Sequence, residues 1–596
     1  MNEVYGGDMP ILADDAHLLV PVLDRARREP DRPVAAHREG DSLVWTTAAE
    51  FAARVRALAK GLVASGVGPG DRVALMSQTR LEWPLVDYAV LMAGAATVPI
   101  YETSSAEQVS WIVSDSGAVL AVTETPAHQA LCEHSGPAAH PVEVVVIDRG
   151  GLDELTRRGA DVPDAIIDER LAGVNTGTLA TIVYTSGTTG RPKGCVLTHG
   201  NLRVNVAQVE IAAEGMVGPD ETTLLFLPLA HALSRIIWLF SVEHGIRTVF
   251  ATDLAHLPEE LALVRPTMVI AVPRVFEKVF NGARHEAATQ HKTGIFDRAA
   301  GVAVGWSQAR ATGGIPLRLR VGHGLFDRLL YHKVREVFGG RMHLAFSGGG
   351  PLGERLTHFF AGVGIDVYEG YGLTESSPVL TFNRSGAWKP GTVGRAMPGT
   401  TLRITGDGEI LARGPQVFGG YWQAPQATDE ALDPEGWLRT GDIGELDDEG
   451  FLRITGRKKE LIVTAAGKNV APAPLEDRLR AHPLVSQALV VGDARPFVAA
   501  LLALDEDGLK DWADERELAG TDLSALRESP EVRAALQDAV DSANESVSWA
   551  ESIRRFAVLP RDLSVDAGEL TPTLKVRRAI VEKEYADLVE QLYAGG

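Results

Sequence analysis

The stretch TIVYTSGTTGRPKG, residues 181–194, runs from an apolar β-like segment into a loop of Ser, Gly and Thr that ends in a lysine. This is the chemistry of a phosphate cradle. Gly187 and Gly190 let backbone amides approach an anion closely, Thr185, Ser186, Thr188 and Thr189 line the loop with hydroxyls, and Lys193 adds a positive charge. A Walker loop would end in Gly-Lys-Ser/Thr, whereas Pro192 precedes Lys193 and Gly194 follows it, so an ordinary P-loop ATPase is not supported. The bland alternative is a flexible linker. It fits poorly between a buried-type strand and the helix start near residues 198–202.

Outward from the loop, the pattern is that of alternating elements. Apolar residues recur at helical spacing over 48–64, a Gly/Pro turn follows at 66–70, and 72–76 reads as a strand. Residues 83–94 read as helix, 95–100 as strand and 106–116 as helix, which predicts a parallel α/β architecture. The apolar run 85–100 is interrupted by Asp87 and too short to span a bilayer, so it reads as core. Residues 135–177 have weak periodicity and read as a connecting region. Short strands and Gly turns from about 390 to 456 predict a small β-rich, barrel-like subdomain closing an N-terminal domain of two α/β subdomains over 1–456, and 457–596 reads as a separate, small α+β domain.

With 596 residues, 45% hydrophobic and 23% charged, the chain has the composition of a large soluble enzyme. Its net charge of −21 argues against nucleic acid as a partner. Cys132 and Cys195 are too few for a disulfide framework, and no His, Cys or acid cluster has zinc spacing. The first residues carry acids where a secretory signal carries bases, so the expected compartment is the cytoplasm. Residues 278–335 run against the acidic trend, with ten Lys or Arg against Glu286, Asp297 and Asp327. A solvated helical face explains this simply; weak peripheral contact with the inner membrane face, or attraction of a phosphorylated ligand, is the sharper alternative.

Further motifs lie downstream. SGGGP, residues 347–351, ends a strand-like run, and three glycines let a flat base lie against backbone; a plain strand-to-helix turn is the alternative. YGLTE, residues 371–375, puts the ring of Tyr371, Gly372, the hydroxyl of Thr374 and the carboxylate of Glu375 on one short loop, suited to stacking, phosphate donation and Mg²⁺. Ala345 replaces the first glycine of a GxSxG elbow, so covalent serine catalysis is not indicated.

Taken together, 185–194, 228–231, 347–351, 371–375, 440–442, 456–460 and Lys575 stand in the order found in the adenylate-forming superfamily, and the chain resembles its long-chain fatty acyl-CoA synthetase branch over nearly its whole length. The resemblance implies that Gly348, Gly349 and Gly350 line an adenine pocket and that Thr185 shares Mg²⁺ with Glu375. Asp442 and Arg457 are implied at the ribose, His231 at the mouth of the acyl pocket, and Lys459 at the hinge of a mobile C-terminal domain. Gly467 is implied on the loop facing the CoA side, and Lys575 as the catalytic lysine. Read alone, Asp442 is a turn residue, Arg457 a surface charge, His231 a structural histidine and Lys575 an exposed cation at a helix start. The segments PLAHALSR, 228–235, and VPRVFEK, 272–278, resemble bacterial long-chain ligases. The implied reaction uses ATP, Mg²⁺ and CoA to convert a fatty acid to acyl-AMP and then to its thioester. A fatty acyl-AMP ligase that loads a carrier protein is the nearest rival, and a non-catalytic nucleotide or acyl sensor the rival of another class. Oligomeric state, a homodimer included, is left open.

Overall fold

A computed structural model describes residues 2–133, 135, 142–185, 191–251, 256–465, 467–514, 516, 518, 522–565, 567–571 and 574–594. Helices Ala48–Ala64 and Ala106–Ser116 start on Thr47 and Ser105, each closing a reciprocal capping box with Glu50 or Gln108. Strands Arg72–Met76 and Ala96–Ile100 follow their Gly turns as the sequence pattern predicts. They lie parallel in a six-stranded sheet ordered Glu143–Val146, Leu120–Thr123, Arg72–Met76, Ala96–Ile100, Leu179–Thr185, Lys193–Thr198, with only the last strand antiparallel to its neighbour. Helix Glu82–Met92 is apolar on every side because it is sandwiched in the core. Asp87 survives there because Arg235 binds it at 2.6 and 3.1 Å and Thr97 Oγ1 donates to it at 2.6 Å.

The 135–177 region is more ordered than its pattern suggests. Strand Glu143–Val146 forms the sheet edge, and helices Gly151–Arg158 and Asp164–Ala172 follow. Each helix buries a single residue, Leu155 or Ile167, which leaves too few apolar positions to register as periodicity.

A nine-stranded sheet carries most of the site. Its order is Arg395–Ala396, Val379–Phe382, Asp366–Gly372, Leu344–Ser347, Met268–Ala271, Thr222–Leu225, Arg247–Phe250, Pro33–Glu39, Ser42–Thr47, parallel from Asp366–Gly372 to Pro33–Glu39. A five-stranded antiparallel sheet, Glu3–Tyr5, Thr401–Ile404, Glu409–Arg413, Leu438–Leu446, Leu452–Arg457, forms the predicted β-rich unit; its edge strand comes from the N-terminus, which no local signal announced. Beyond it, Val485–Val491, Val498–Leu504 and Ile553–Val558 form a three-stranded sheet with a core of its own, covered by helices Pro472–Arg480 and Pro530–Asn544. The small domain docks on the large one: Arg274 donates to the Ser486 carbonyl at 3.1 Å and His285 meets Asp511.

Candidate active site

The phosphate-loop stretch closes a β-hairpin. Thr185 on strand Leu179–Thr185 pairs with Lys193 on strand Lys193–Thr198, and that strand leads to helix His199–Ala212, capped by Thr198 at the helix start read from the sequence. Ser186, Gly187, Thr188, Thr189 and Gly190 lie outside the described residues. The exit strand is clamped on both sides. Trp111 Nε1 donates to the Pro192 carbonyl at 2.9 Å, and the Trp422 amide donates to the Gly194 carbonyl at 2.7 Å. A side chain at Gly194 would put Cβ 2.6 Å from Ile182, so the loop ends on glycine for packing reasons.

Lys193 Nζ lies over the Tyr421 ring, 5.2 Å from its centroid, and the Tyr421 hydroxyl donates to Glu375 Oε1 at 2.7 Å. Tyr421 thus links the loop lysine to the carboxylate. It was missed in the sequence, where GGYW, residues 419–422, is the only trace. Thr185 Oγ1 lies 4.0 Å from the buried Cys195 thiol, whose pKa is held well above the usual range by burial and by the charge of Glu375. Thr185 and Glu375 therefore flank one thiol. A hydroxyl and a carboxylate are hard oxygen donors of the kind Mg²⁺ takes in small number beside water and phosphate, so this pair fits the ion.

Tyr371 and Gly372 end the sheet strand Asp366–Gly372, and only Thr374 and Glu375 lie in the short turn Thr374–Ser376, so the four do not share the single loop expected from the sequence. A Cβ at Gly372 would meet the Pro378 carbonyl at 1.8 Å, so close return of the chain demands glycine. The Tyr371 hydroxyl donates to Asp442 Oδ2 at 2.6 Å, while Arg457 Nε forms an ion pair with Asp442 Oδ1 at 3.0 Å. Asp442 and Arg457 face each other in register across strands Leu438–Leu446 and Leu452–Arg457. Burial, then the Asp442 charge, raises the Tyr371 pKa well above its ordinary value, so it stays a donor. With a hydrogen bond on Oδ2 and an ion pair on Oδ1, the Asp442 carboxylate keeps lone pairs for two further hydroxyls.

Gly348, Gly349 and Gly350 follow strand Leu344–Ser347 and precede helix Glu354–Gly362. Gly349 has φ +84°, and a Cβ on it would stand 3.7 Å from Lys575 Cε and 3.9 Å from Nζ. Lys575 thus crosses from the small domain to the glycine turn of the large one. It sits on a tight loop rather than a helix start: Thr571 and Lys575 bond in both directions, at 2.8 and 3.0 Å, Leu574 has φ +60°, and helix Arg578–Glu584 begins three residues on. Lys575 is open to the cleft but crowded by protein, and this desolvation, then Arg457, lowers its pKa to about 8, with Asp442 and Glu460 opposing.

His231 caps helix Ala232–His244, its Nδ1 accepting from the Leu233 amide at 3.1 Å. Burial, then the Lys575 charge, pulls its pKa down to about 4. It is therefore neutral with its proton on Nε2, a donor at the head of the helix. That helix is pinned from behind by the Arg235–Asp87 pair. Lys459 is exposed in the turn Lys458–Glu460, just after the last strand of the five-stranded sheet, while its neighbour Lys458 reaches back to Asp407 and Glu409 at 2.8 Å each. Gly467 is exposed at φ +76° in the turn between Ile462–Val463 and Asn469–Val470. The structure thus gathers Thr185, Lys193 and Glu375 on one wall, Tyr371, Asp442 and Arg457 on a second, and Gly349, His231 and Lys575 on a third.

The arrangement of a large α/β body with a small C-terminal domain has solved counterparts. Solved structures of the same fold include the adenylation domain of a carboxylate reductase from Mycobacterium chelonae (TM-score 0.74, 23% identity, 98% of this chain and 92% of that one) and o-succinylbenzoate-CoA synthetase of Bacillus subtilis in complex with ATP and magnesium ion (TM-score 0.66, 22% identity, 94% and 98%). The chain belongs to the AMP-binding enzyme family, matched over residues 22–422, with the AMP-binding enzyme C-terminal domain matched over 459–596. Similar proteins are long-chain-fatty-acid–CoA ligase FadD15 of Mycobacterium tuberculosis, 48% identical over 96% of each chain, and human long-chain-fatty-acid–CoA ligase 1, 30% identical over 95% of this chain and 84% of that one.

Proposed function

We propose that the protein is a long-chain fatty acid–CoA ligase that first joins the acid to AMP and then passes the acyl group to CoA. The placement of Lys575 against Gly349, near His231 and Arg457, carries the adenylation reading. Relatives named as long-chain ligases across the full chain support the acid and the acceptor.

In the first step a carboxylate oxygen attacks the α-phosphorus of ATP and pyrophosphate leaves. Lys575 bridges the incoming carboxylate and an α-phosphate oxygen, offsetting the negative charge that builds in the pentavalent transition state. Neutral His231 offers its Nε2–H to position the carboxylate without adding a cation that would hold it back. Tyr371 presents its ring to the adenine, Gly348–Gly350 form the flat bed beneath it, and Asp442, steadied by Tyr371 and Arg457, accepts from the ribose hydroxyls. The loop hydroxyls, Lys193 and Thr374 hold the β- and γ-phosphates. Glu375 and Thr185 would hold Mg²⁺, which would supply charge neutralisation on the phosphate oxygens. In the second step the CoA sulfur attacks the acyl carbonyl, the thiol proton is lost and AMP departs. Withdrawal of Lys575 by a hinge at Lys459, which brings the Gly467 turn to the cleft, would open the thiol's path.

The test is a panel of carboxylic acids from acetate to oleate with ATP and Mg²⁺, with and without CoA, scored for AMP and thioester. Long-chain thioester with CoA-dependent AMP release is expected. Acyl-AMP that persists with CoA present would mark a carrier-loading ligase instead, and no ATP–pyrophosphate exchange with any acid would mark a sensor.

A further inference from the structure

Helix Ala106–Ser116 is anchored at both ends. The Ser105–Gln108 capping box closes its start, and at its other end Arg72 donates through Nε to the Ser116 carbonyl at 2.8 Å and through Nη2 to the Gly117 carbonyl at 2.9 Å. Its buried stripe, Val109, Ile112 and Val113, packs with Ala74, Val98 and Ile182 of the six-stranded sheet. Trp111 and Asp115 stand one turn apart on the same side of this fixed helix.

Both reach the hairpin that carries the phosphate loop. On the entry strand, the Tyr184 hydroxyl donates to Asp115 Oδ2 at 2.6 Å; on the return, Trp111 Nε1 donates to the Pro192 carbonyl at 2.9 Å, and Arg191 lies over the Trp111 ring, 4.7 Å from its centroid. Asp115 also accepts at its carbonyl from Trp422 Nε1 at 3.0 Å, while the Trp422 amide holds the Gly194 carbonyl. Tyr184 pairs with Gly194 in register, directly beside the Thr185–Lys193 pair. Burial, then the bond to Asp115, raises the Tyr184 pKa, so its hydroxyl stays a donor. Packing accounts for the buried Tyr184 ring, but not for polar contacts from one helix to both stems of one loop. A loop of Gly, Ser and Thr has little stiffness of its own, so the way its amides and hydroxyls meet an anion is set by its stems.

We propose that Trp111 and Asp115 are positioning residues for the phosphate loop: they tie both of its stems to one fixed helix and so preset it for the β- and γ-phosphates of ATP. This rests on the reading of residues 185–194 as the phosphate loop. Neither residue is asked to touch the nucleotide or the acid. The consequence is selective, because AMP lacks both of those phosphates and depends on the wall formed by Tyr371, Asp442 and Arg457.

Calorimetric titration of the full chain with Mg·ATP and, separately, with AMP tests it. Trp111→Phe keeps an aromatic ring and removes the N–H donor; Tyr184→Phe removes the hydroxyl that Asp115 holds. Each should weaken Mg·ATP binding about fivefold, the worth of roughly one hydrogen bond, and leave AMP binding within about twofold of wild type. A change that merely loosened the fold would weaken both ligands alike. Unchanged Mg·ATP binding in both variants, or equal loss of Mg·ATP and AMP binding in both, would overturn the proposal. Lys193→Ala tests the loop itself: it should weaken Mg·ATP and spare AMP. If it does so while Trp111→Phe and Tyr184→Phe do not, the positioning role alone fails; if it leaves Mg·ATP binding unchanged, the phosphate-loop reading fails and the proposal with it.

Discussion

The two sides of the cleft are built on opposite principles. On the large domain, the functional groups are pinned by one another: Asp442 by Tyr371 and Arg457, Glu375 by Tyr421, and Tyr421 by Lys193. On the small domain, Lys575 is held by its carbonyl, which accepts from the Thr571 amide, and by its amide, which donates to the Thr571 hydroxyl, and its place in the cleft depends on how the domains dock. A nucleotide needs a wall that does not reorganise, whereas a lysine that serves one half reaction must be removable for the other. The wall is preorganised and the lysine is delivered.

Lys575→Ala should produce the largest effect, lowering ligase turnover by about 10³-fold, as expected when about 4 kcal/mol of transition-state stabilisation is lost. Steady-state AMP formation reads it, and ATP affinity should change little because the wall is intact. Asp442→Asn breaks the wall instead. Losing a charged partner for Arg457 and the ribose should raise the KM for ATP about 10- to 100-fold, from about 1.5–3 kcal/mol per charged hydrogen bond, with a smaller fall in kcat.

The pH dependence separates the sides further. Lys575 must be protonated to act, and its pKa is lowered to about 8, so kcat/KM for adenylation should fall as pH rises through about 8, roughly tenfold per unit beyond it. His231, lowered to about 4, should leave no limb between pH 5 and 7. Glu375→Gln should raise the Mg²⁺ concentration for half-maximal exchange by about tenfold, which a Mg²⁺ titration would show. The smallest effect is expected from His285→Ala, which removes the Asp511 contact between the domains and should alter the ratio of the two half-reaction rates only a few-fold.

The legibility of these features follows the same division. The α/β elements near the start were readable because capping residues and Gly turns bound apolar runs of the right period, as at Thr47–Glu50 and Ser105–Gln108. The helices Gly151–Arg158 and Asp164–Ala172 escaped because each buries one residue, and strand Glu3–Tyr5 because its partner lies about 400 residues away. Among the site residues, local chemistry pointed to the loop and to Glu375, while Asp442, Arg457 and Lys575 looked ordinary until resemblance singled them out. Only the three-dimensional arrangement joins them. Tyr421 had no local signal at all, since an aromatic after two glycines is common, and its meaning comes from Lys193 on one side and Glu375 on the other.

The delivered lysine is tested most directly by measuring the two half reactions separately in Lys575→Ala. With fatty acid and ATP, ATP–pyrophosphate exchange should fall by about 10³-fold. With acyl-AMP supplied and CoA added, thioester formation should remain within about tenfold of wild type, because Lys575 has then done its work. Equal loss of both half reactions would contradict the account.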